Sequence, residues 1–258
     1  MYDLAELESS LAGTVFAGKL HYTAATGSTN SDALAAARED APHGSVYFSD
    51  EQTEGRGRSD HGWESPAGEG LYASVLLRPQ IPALRLPLLP LVAGLAAAEA
   101  IRFVAGLIVD LRWPNDLMIG PRKAGGILVE SKTEGSQAAF AVVGIGINVH
   151  QRGFAPDLNT PATSLRLESG RRIRRQTLLA ALLESLEREA LALESPEAGS
   201  RIPARVEQAS TWIRGRRVQV HGPQSCTGVT AGLDERGFLQ VLSAGELVTV
   251  QTGGIRAA

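Results

Sequence analysis

Two long apolar segments joined by a short turn constrain the fold of this chain more than any other feature. Residues 122–132 read RKAGGILVESK, residues 139–150 read AFAVVGIGINVH, and TEGSQ lies between them. A connection this short joins antiparallel neighbours, because parallel strands need a crossover of a dozen or more residues. The pair therefore predicts a hairpin in the main sheet and favours an α+β fold over a doubly wound one.

The remaining pattern of the first 210 residues alternates strands with helices. Helix-capping residues precede an alanine-rich run after residue 28, which indicates a helix. The apolar segment 85–104 has its prolines near the start, where a helix tolerates them. Pro114 excludes a central strand position for its own segment. The predicted strands cover 44–50, 70–79 and 109–120, and the predicted helices follow residue 30 and cover 85–104 and 176–194. We expect a mixed, largely antiparallel sheet with flanking helices.

From Trp212 onward the sequence changes character. Short alternating segments such as GRRVQVHG and ELVTVQTG are broken by glycines, which is typical of a small β-barrel or sandwich. We therefore expect a larger domain over residues 1–210 and a small β domain over residues 211–258.

Composition excludes several classes of function. The 258 residues carry a formal net charge of −3, so no global attraction to nucleic acid or an anionic membrane is expected. Cys226 is the single cysteine, which excludes an intrachain disulfide, and the five histidines have no zinc-ligand spacing. No signal peptide or membrane-spanning apolar run is evident, and a cytoplasmic protein is expected.

Four polar, glycine-marked segments are the candidates for chemistry. Each has a local explanation alone. STN can be a helix cap, EQTEGRGR a solvated loop, RWPND a proline turn, Lys123 of RKAGG a solvated surface lysine, and GIGIN a glycine-rich strand. Together they supply the cations Arg56, Arg58 and Lys123, the acid Asp116 and several amides. Arginine forks and a lysine ammonium suit carboxylate and phosphate groups, so the set indicates an anionic substrate that contains phosphate.

The order STN, EQTxGRGR, Trp, WPND, RKxGGILVE and GIGIN resembles the biotin protein ligases over residues 20–150, and more loosely to the C-terminus. The resemblance implies the biotin/lipoate ligase catalytic fold over residues 1–210 and an SH3-like β-barrel over 211–258. It implies activation of biotin by ATP to biotinyl-5′-AMP, followed by transfer to a lysine of a biotin carboxyl carrier protein. The substrates would be biotin and ATP, with Mg²⁺ carried by ATP and no metal ligands from the chain.

The resemblance also assigns residues to the reaction. The implied catalytic residues are Lys123, Arg58 and Asp116. The implied biotin-binding residues are Ser28, Thr29, Asn30, Gln52, Gly55, Arg56, Gly57, Arg58, Lys123, Gly126 and Gly144. The implied ATP-binding or adenylate-binding residues are Arg58, Trp63, Arg112, Asn115, Lys123 and Asn148. The loop with GRGR is expected to order over the bound adenylate.

Three positions depart from the pattern of the family. Arg112 replaces a lysine before WPND, Asp60 and His61 follow GRGR where glycine and a basic residue are usual, and Gly27 replaces an aspartate before STN. Arginine keeps the positive charge at position 112 but changes its reach and geometry. The acidic residue makes the later part of the loop less positive.

Two other functions remain open at this point, a lipoate or octanoate ligase or transferase of the same fold and a non-catalytic biotin-binding module. About 20 residues precede the first motif, fewer than a three-helix DNA-binding domain needs, so we expect a monofunctional ligase without nucleic-acid or membrane partners. An exposed sheet edge near GIGIN would allow two subunits to pair side by side as a homodimer, although the pattern does not show it. The acceptor protein and the oligomeric state are left undetermined.

Overall fold

The computed structural model describes residues 2–58, 61–156 and 158–258, and its main feature is a seven-stranded sheet. The strand order is β1-β2-β3-β7-β6-β5-β4, in which only β1 and β2 pair in parallel. The strands are β1 (Leu20–Thr26), β2 (Val46–Gln52), β3 (Gly70–Leu77), β4 (Asp110–Arg112), β5 (Asp116–Ile119), β6 (Arg122–Glu134) and β7 (Gln137–Asn148). The predicted mixed, largely antiparallel sheet with its β6–β7 hairpin is confirmed.

Helices flank both faces of this sheet. They are α1 (Leu4–Ser10), α2 (Thr29–Arg38), α3 (Leu89–Ala105), α4 (Leu165–Ser169), α5 (Arg175–Leu191) and α6 (Ala198–Gln208), with a 3-10 helix over Ala83–Leu88 before α3. Helices α3 and α5 pack together within the main core. Helix α2 covers part of the other face, where Ala33 and Ala37 join Leu76 and Val142 in a smaller apolar cluster.

The continuous helical segment Ala83–Ala105 corrects one expectation from the sequence. Its 23 residues are long and apolar enough to cross a membrane, although no apolar run of that length was expected. Within the structure 67% of its most apolar window is buried against protein. Its hydrophobicity is therefore accounted for by its place in the core.

The C-terminal strands form a second, five-stranded sheet, as expected for a small SH3-like β domain. The strands are β8 (Arg214–His221), β9 (Cys226–Leu233), β10 (Leu239–Ser243), β11 (Glu246–Val250) and β12 (Gly254–Ala257), and all of their pairings are antiparallel. Val218 and Val220 belong to the same buried cluster as α3 and α5. The division at residues 210 and 211 stays a prediction.

Several elements were not predicted from the sequence, including β1, α4, α6 and the four-residue strand β12, and the position of one sheet edge was predicted wrongly. Strand β1 is mostly solvent-exposed and lacks an apolar run, α4 has only five residues, and α6 contains Pro203. The GIGIN segment lies in β7, which is flanked by β3 and β6 in the middle of the sheet. The expected exposed edge near GIGIN is therefore wrong, and the edges of this sheet are β1 and β4.

Candidate active site

A floor without side chains crosses the middle of the main sheet. Successive residues of a strand point to opposite faces, so Gly144 and Gly146 of β7 share one face. A methyl group on Gly144 would overlap the amide of Asn30, and one on Gly146 would lie 2.6 Å from Trp63 Nε1. Glycine is therefore required at both positions, because other side chains lie directly on the strand.

A cavity of about 630 Å³ opens above this floor. The structure brings almost every predicted site residue to its wall. These are Ser28, Thr29, Asn30, Gln52, Arg56, Gly57, Arg58, Trp63, Arg112, Asn115, Asp116, Lys123, Gly126, Gly144 and Asn148. Gly55 lies outside the wall, where a side chain would contact the Ser65 hydroxyl at 2.9 Å. Gly55 therefore supports the loop instead of facing the cavity.

One end of the cavity is a network of neutral polar groups. The start of α2 places Thr29 against Gln52, whose Oε1 accepts from the Thr29 amide at 2.9 Å. The Thr29 hydroxyl lies 2.8 Å from that of Ser74, and Ser74 Oγ donates to Asn30 Oδ1 at 2.6 Å. Ser28, the first cap residue, is buried but makes no side-chain cap hydrogen bond. These contacts fix the side chains before any ligand arrives.

Glu130 connects this network to the GRGR loop. Asn30 Nδ2 donates to Glu130 Oε2 at 2.9 Å, and the Arg56 guanidinium donates to both Glu130 oxygens at 2.7 and 3.2 Å. The Arg56 side chain is 41% exposed, so solvent weakens this ion pair. In this structure both Nη atoms of the Arg56 guanidinium are therefore bound to the Glu130 carboxylate.

The opposite wall carries a charged cluster centred on Asp116. Lys123 Nζ lies 2.6 Å from Asp116 Oδ1, and Arg112 donates to Asp116 Oδ2 through Nε at 3.0 Å and Nη2 at 2.6 Å. Burial alone would raise the pKa of Asp116, but the charges of Lys123 and Arg112 outweigh it and lower that pKa. The carboxylate therefore stays ionised and holds both cations in place.

Arg58 reaches from the loop to the C-terminal sheet. Its Nη1 donates to the Gly253 carbonyl at 2.8 Å and to Asn115 Oδ1 at 3.4 Å. Burial lowers the pKa of Arg58 from its ordinary value, partly opposed by Asp116, but the guanidinium remains a cation at neutral pH. The contact with Gly253 makes the C-terminal segment part of the wall.

Backbone hydrogen bonds join the described parts of the GRGR loop. The Trp63 amide donates to the Gly55 carbonyl at 2.8 Å, and the Gly57 amide donates to the His61 carbonyl at 2.7 Å. His61 is exposed, and its Nδ1 lies 2.9 Å from the Arg58 carbonyl. Asp60, the other departure from the family pattern, lies outside the described residues.

Two amides and an aromatic ring also line the cavity. Asn148 is buried, and its Nδ2 donates to the Thr163 carbonyl at 3.0 Å, while Asn115 Nδ2 donates to the Ile127 carbonyl at 2.7 Å. Lys123 Nζ lies 5.4 Å from the centre of the Trp63 ring. The cavity thus contains a neutral polar network, the charged cluster and, at the end of β7, the amide of Asn148.

Sequence reasoning missed several residues of this site. Ser74 and Gln151 line the cavity, as do His221 and Gly253 from the C-terminal sheet, and Glu130 bonds to two predicted residues. Glu130 is the last residue of the GGILVE motif, so the sequence motif could have identified it. The others follow no motif, because they meet the cavity only through strand pairing and contacts between the two sheets.

Comparison with known proteins identifies the protein family to which this chain belongs. Residues 24–148 match the Biotin/lipoate A/B protein ligase family. The chain is 33% identical over 247 residues to the biotin--[acetyl-CoA-carboxylase] ligase of Mycobacterium tuberculosis, which covers 92% of this chain and 88% of that protein. The chain belongs to the Biotin/lipoate A/B protein ligase family.

Its relatives within that family are biotin protein ligases, as the sequence predicted. The bifunctional ligase/repressor BirA of Bacillus spizizenii is 37% identical over 185 residues, which are 71% of this chain and 57% of that protein. The chain thus spans little more than half of that relative. The solved biotin protein ligase from Aquifex aeolicus in complex with biotin and ATP superposes with a TM-score of 0.78 at 27% identity, over 93% of this chain and all of the other.

Proposed function

We propose that this chain is an ATP-dependent biotin protein ligase. It would activate biotin as biotinyl-5′-AMP and transfer it to a lysine of a biotin carboxyl carrier protein of acetyl-CoA carboxylase or a related carboxylase. The observation that carries the proposal is the cavity, in which cations stand over a glycine floor beside a neutral polar network and the amide of Asn148. Two substrates that each bring an anionic group to the centre fit this arrangement.

In the first step a biotin carboxylate oxygen attacks the α-phosphorus of ATP. The bond from that phosphorus to the bridging oxygen breaks, and pyrophosphate leaves with the electron pair. Lys123 and Arg58 would offset the charge on the phosphoryl oxygens, which is the largest obstacle when two anions meet. We place biotin at the end formed by Thr29, Asn30 and Gln52, and the nucleotide toward Asn148.

In the second step the amine of the carrier lysine attacks the acyl carbon of the adenylate. The bond from that carbon to the phosphate oxygen breaks, AMP leaves, and the new amide loses a proton to solvent. Asp116 is the carboxylate available in the cavity wall, either to accept that proton or to orient a cation. Its lowered pKa and its two ion pairs make it a weak base, so we assign it the orienting role for Lys123.

Magnesium would enter as part of the nucleotide. In the part of the chain that the structure describes, no group of three or more His, Cys, Asp or Glu side chains could hold a metal ion. Mg²⁺ bound to ATP needs few protein ligands, because phosphate oxygens and water supply most of its shell.

Three parts of the proposal extend beyond the site. A cytoplasmic location and the absence of nucleic-acid partners remain proposals from charge and composition. A homodimer is also a proposal, and it would have to use a surface other than an edge beside β7.

Biotin-dependent exchange of radiolabelled pyrophosphate into ATP tests the proposed function directly. We expect exchange with biotin and none with lipoate or octanoate. Exchange driven by lipoate would instead support the alternative specificity within the family, and biotin binding without exchange would support a non-catalytic module. Subsequent labelling of an apo carrier domain tests the second step.

A further inference from the structure

A buried amide beside Asn148 has unused hydrogen-bonding capacity. Gln151 is 7% exposed, lines the cavity, and donates through Nε2 to Asn148 Oδ1 at 3.3 Å. Among residues 2–58, 61–156 and 158–258, its Oε1 is buried and has no hydrogen-bond partner. Buried polar atoms in proteins are almost always paired, so an unpaired acceptor in a cavity wall points to a ligand donor.

Hydrogen bonds fix the backbone around Gln151. The Gln151 carbonyl accepts from Ser164 Oγ at 2.7 Å. The preceding residue, His150, lies with Nε2 2.7 Å from the Ile173 carbonyl and Nδ1 3.2 Å from the Gly68 carbonyl. These contacts fix the backbone on both sides of Gln151. The side chain itself is held only through Nε2 on Asn148 at 3.3 Å, so rotation about its own bonds turns Oε1 toward a ligand in the cavity.

Asn148 and Gln151 together display a defined pattern of donors and acceptors. Asn148 uses one N–H on the Thr163 carbonyl and one lone pair on Gln151, so it keeps one donor and one acceptor. Gln151 keeps the acceptor Oε1 and one N–H of Nε2. The edge of adenine, a donor amine beside an acceptor ring nitrogen, is complementary to such a pair.

We propose that Gln151 selects the nucleobase by accepting a hydrogen bond from the 6-amino group of adenine, and that it orients Asn148 for the same edge. This inference rests on the proposed function, since it assigns the nucleotide to this end of the cavity. Guanine carries a carbonyl oxygen in place of the amine and would face the Gln151 oxygen with a second acceptor.

The test compares ATP with purine riboside triphosphate, which lacks the 6-amino group, in biotin-dependent pyrophosphate release. For the parent protein we expect the KM for the analogue to be about tenfold higher than that for ATP, the size expected for losing one hydrogen bond to a buried group. For Gln151→Met, which keeps the length of the side chain, the two nucleotides should have equal KM values. The KM for biotin should not change.

Two further variants separate base selection from a structural effect. Gln176 is also buried, at 8% exposed, but its Oε1 accepts from the Asp3 amide away from the cavity. Gln176→Met should keep the full tenfold preference for ATP. Gln151→Glu keeps an acceptor and loses the donor to Asn148, so it should raise both KM values yet still prefer ATP.

The outcomes distinguish this inference from the proposed function. A parent protein without biotin-dependent pyrophosphate release would overturn the proposed function itself. An active parent that does not discriminate between the two nucleotides, or a Gln151→Met variant that keeps the tenfold preference, would overturn the role of Gln151. If Gln151→Met does not fold, the parent and Gln151→Glu decide, and loss of the preference in the latter contradicts the proposal.

Discussion

Replacement of Lys123 by alanine should remove the cation on which the first chemical step most depends. Lys123 Nζ is held 2.6 Å from Asp116 Oδ1, and its side chain is 26% exposed. At about 4 Å from a phosphoryl oxygen, a unit charge contributes about 4 kcal/mol at an effective dielectric constant of about 20. Partial exposure reduces this value, and loss of one preorganised donor typically costs about 2.7–4 kcal/mol.

We therefore expect Lys123→Ala to slow biotin-dependent pyrophosphate exchange by about 10²–10³. Lys132→Ala is the matched control, because Lys132 lies on the same strand, is 61% exposed and pairs only distantly with Glu134 at 3.7 Å. It should leave the exchange rate within about twofold, since exposed ion pairs contribute little. Lys123→Arg keeps the charge with another geometry and should recover part of the rate.

The alanine variant also changes Asp116, which must be controlled for. Without Lys123 the carboxylate keeps only Arg112, so its pKa should rise toward the ordinary range and the fold should lose stability. Urea unfolding would measure that loss separately from the rate. An alanine variant that is folded and exchanges pyrophosphate at nearly the parent rate would refute the electrostatic role of Lys123.

Three further predictions concern the loop and the charged cluster. Trypsin should cut after Arg56 and Arg58 more slowly when biotin and ATP are present, because the loop then orders over the adenylate. Equal cleavage with and without the ligands would contradict this ordering of the loop. Arg58→Ala should still form the adenylate but release it, so that biotin appears on a bystander protein as well as on the carrier domain. Arg112→Lys should label the carrier domain alone. If the Arg58 variant also labels only the carrier domain, Arg58 does not retain the adenylate. Because the pKa of Asp116 is lowered by folding, its stabilising contribution is complete above the unfolded pKa of about 3.9 and is lost as the pH falls through the folded value. The difference in urea unfolding free energy between the parent and Asp116→Asn should therefore shrink from pH 6 to pH 3, and a constant difference would argue against this account.

The parts of the fold that the sequence predicted are those with strong local patterns. The β6–β7 hairpin and α5 have long apolar segments and clear ends, and both lie within about three residues of their predicted bounds. Strand β1 escaped prediction because its side chains are mostly exposed and alternate weakly. Pro203 inside α6 contradicted a helix that tertiary packing nevertheless stabilises.

The site was predictable to the extent that motifs encode it. Glycines 126 and 144 and the cations belong to contiguous segments, and the structure brings those segments together on one face of the sheet. The partner of Arg58 could not be predicted, because Gly253 lies 195 residues away and contributes only a backbone carbonyl. The unpaired oxygen of Gln151 likewise exists only once the surrounding residues are in place.

The arginine that departs from the family pattern is explained by its neighbours on both sides. Besides Asp116, the Arg112 guanidinium donates to Thr160 Oγ1 at 3.0 Å and lies 5.3 Å from the centre of the Trp212 ring. Arg216 of β8 contacts the same ring at 3.6 Å. A lysine could make one of these contacts but not the forked and stacked set. Arg112 therefore links the ionised acid of the cavity to the start of the C-terminal sheet, and Arg58 makes a second link through Gly253. The small sheet thus helps to hold two arginines in the cavity wall.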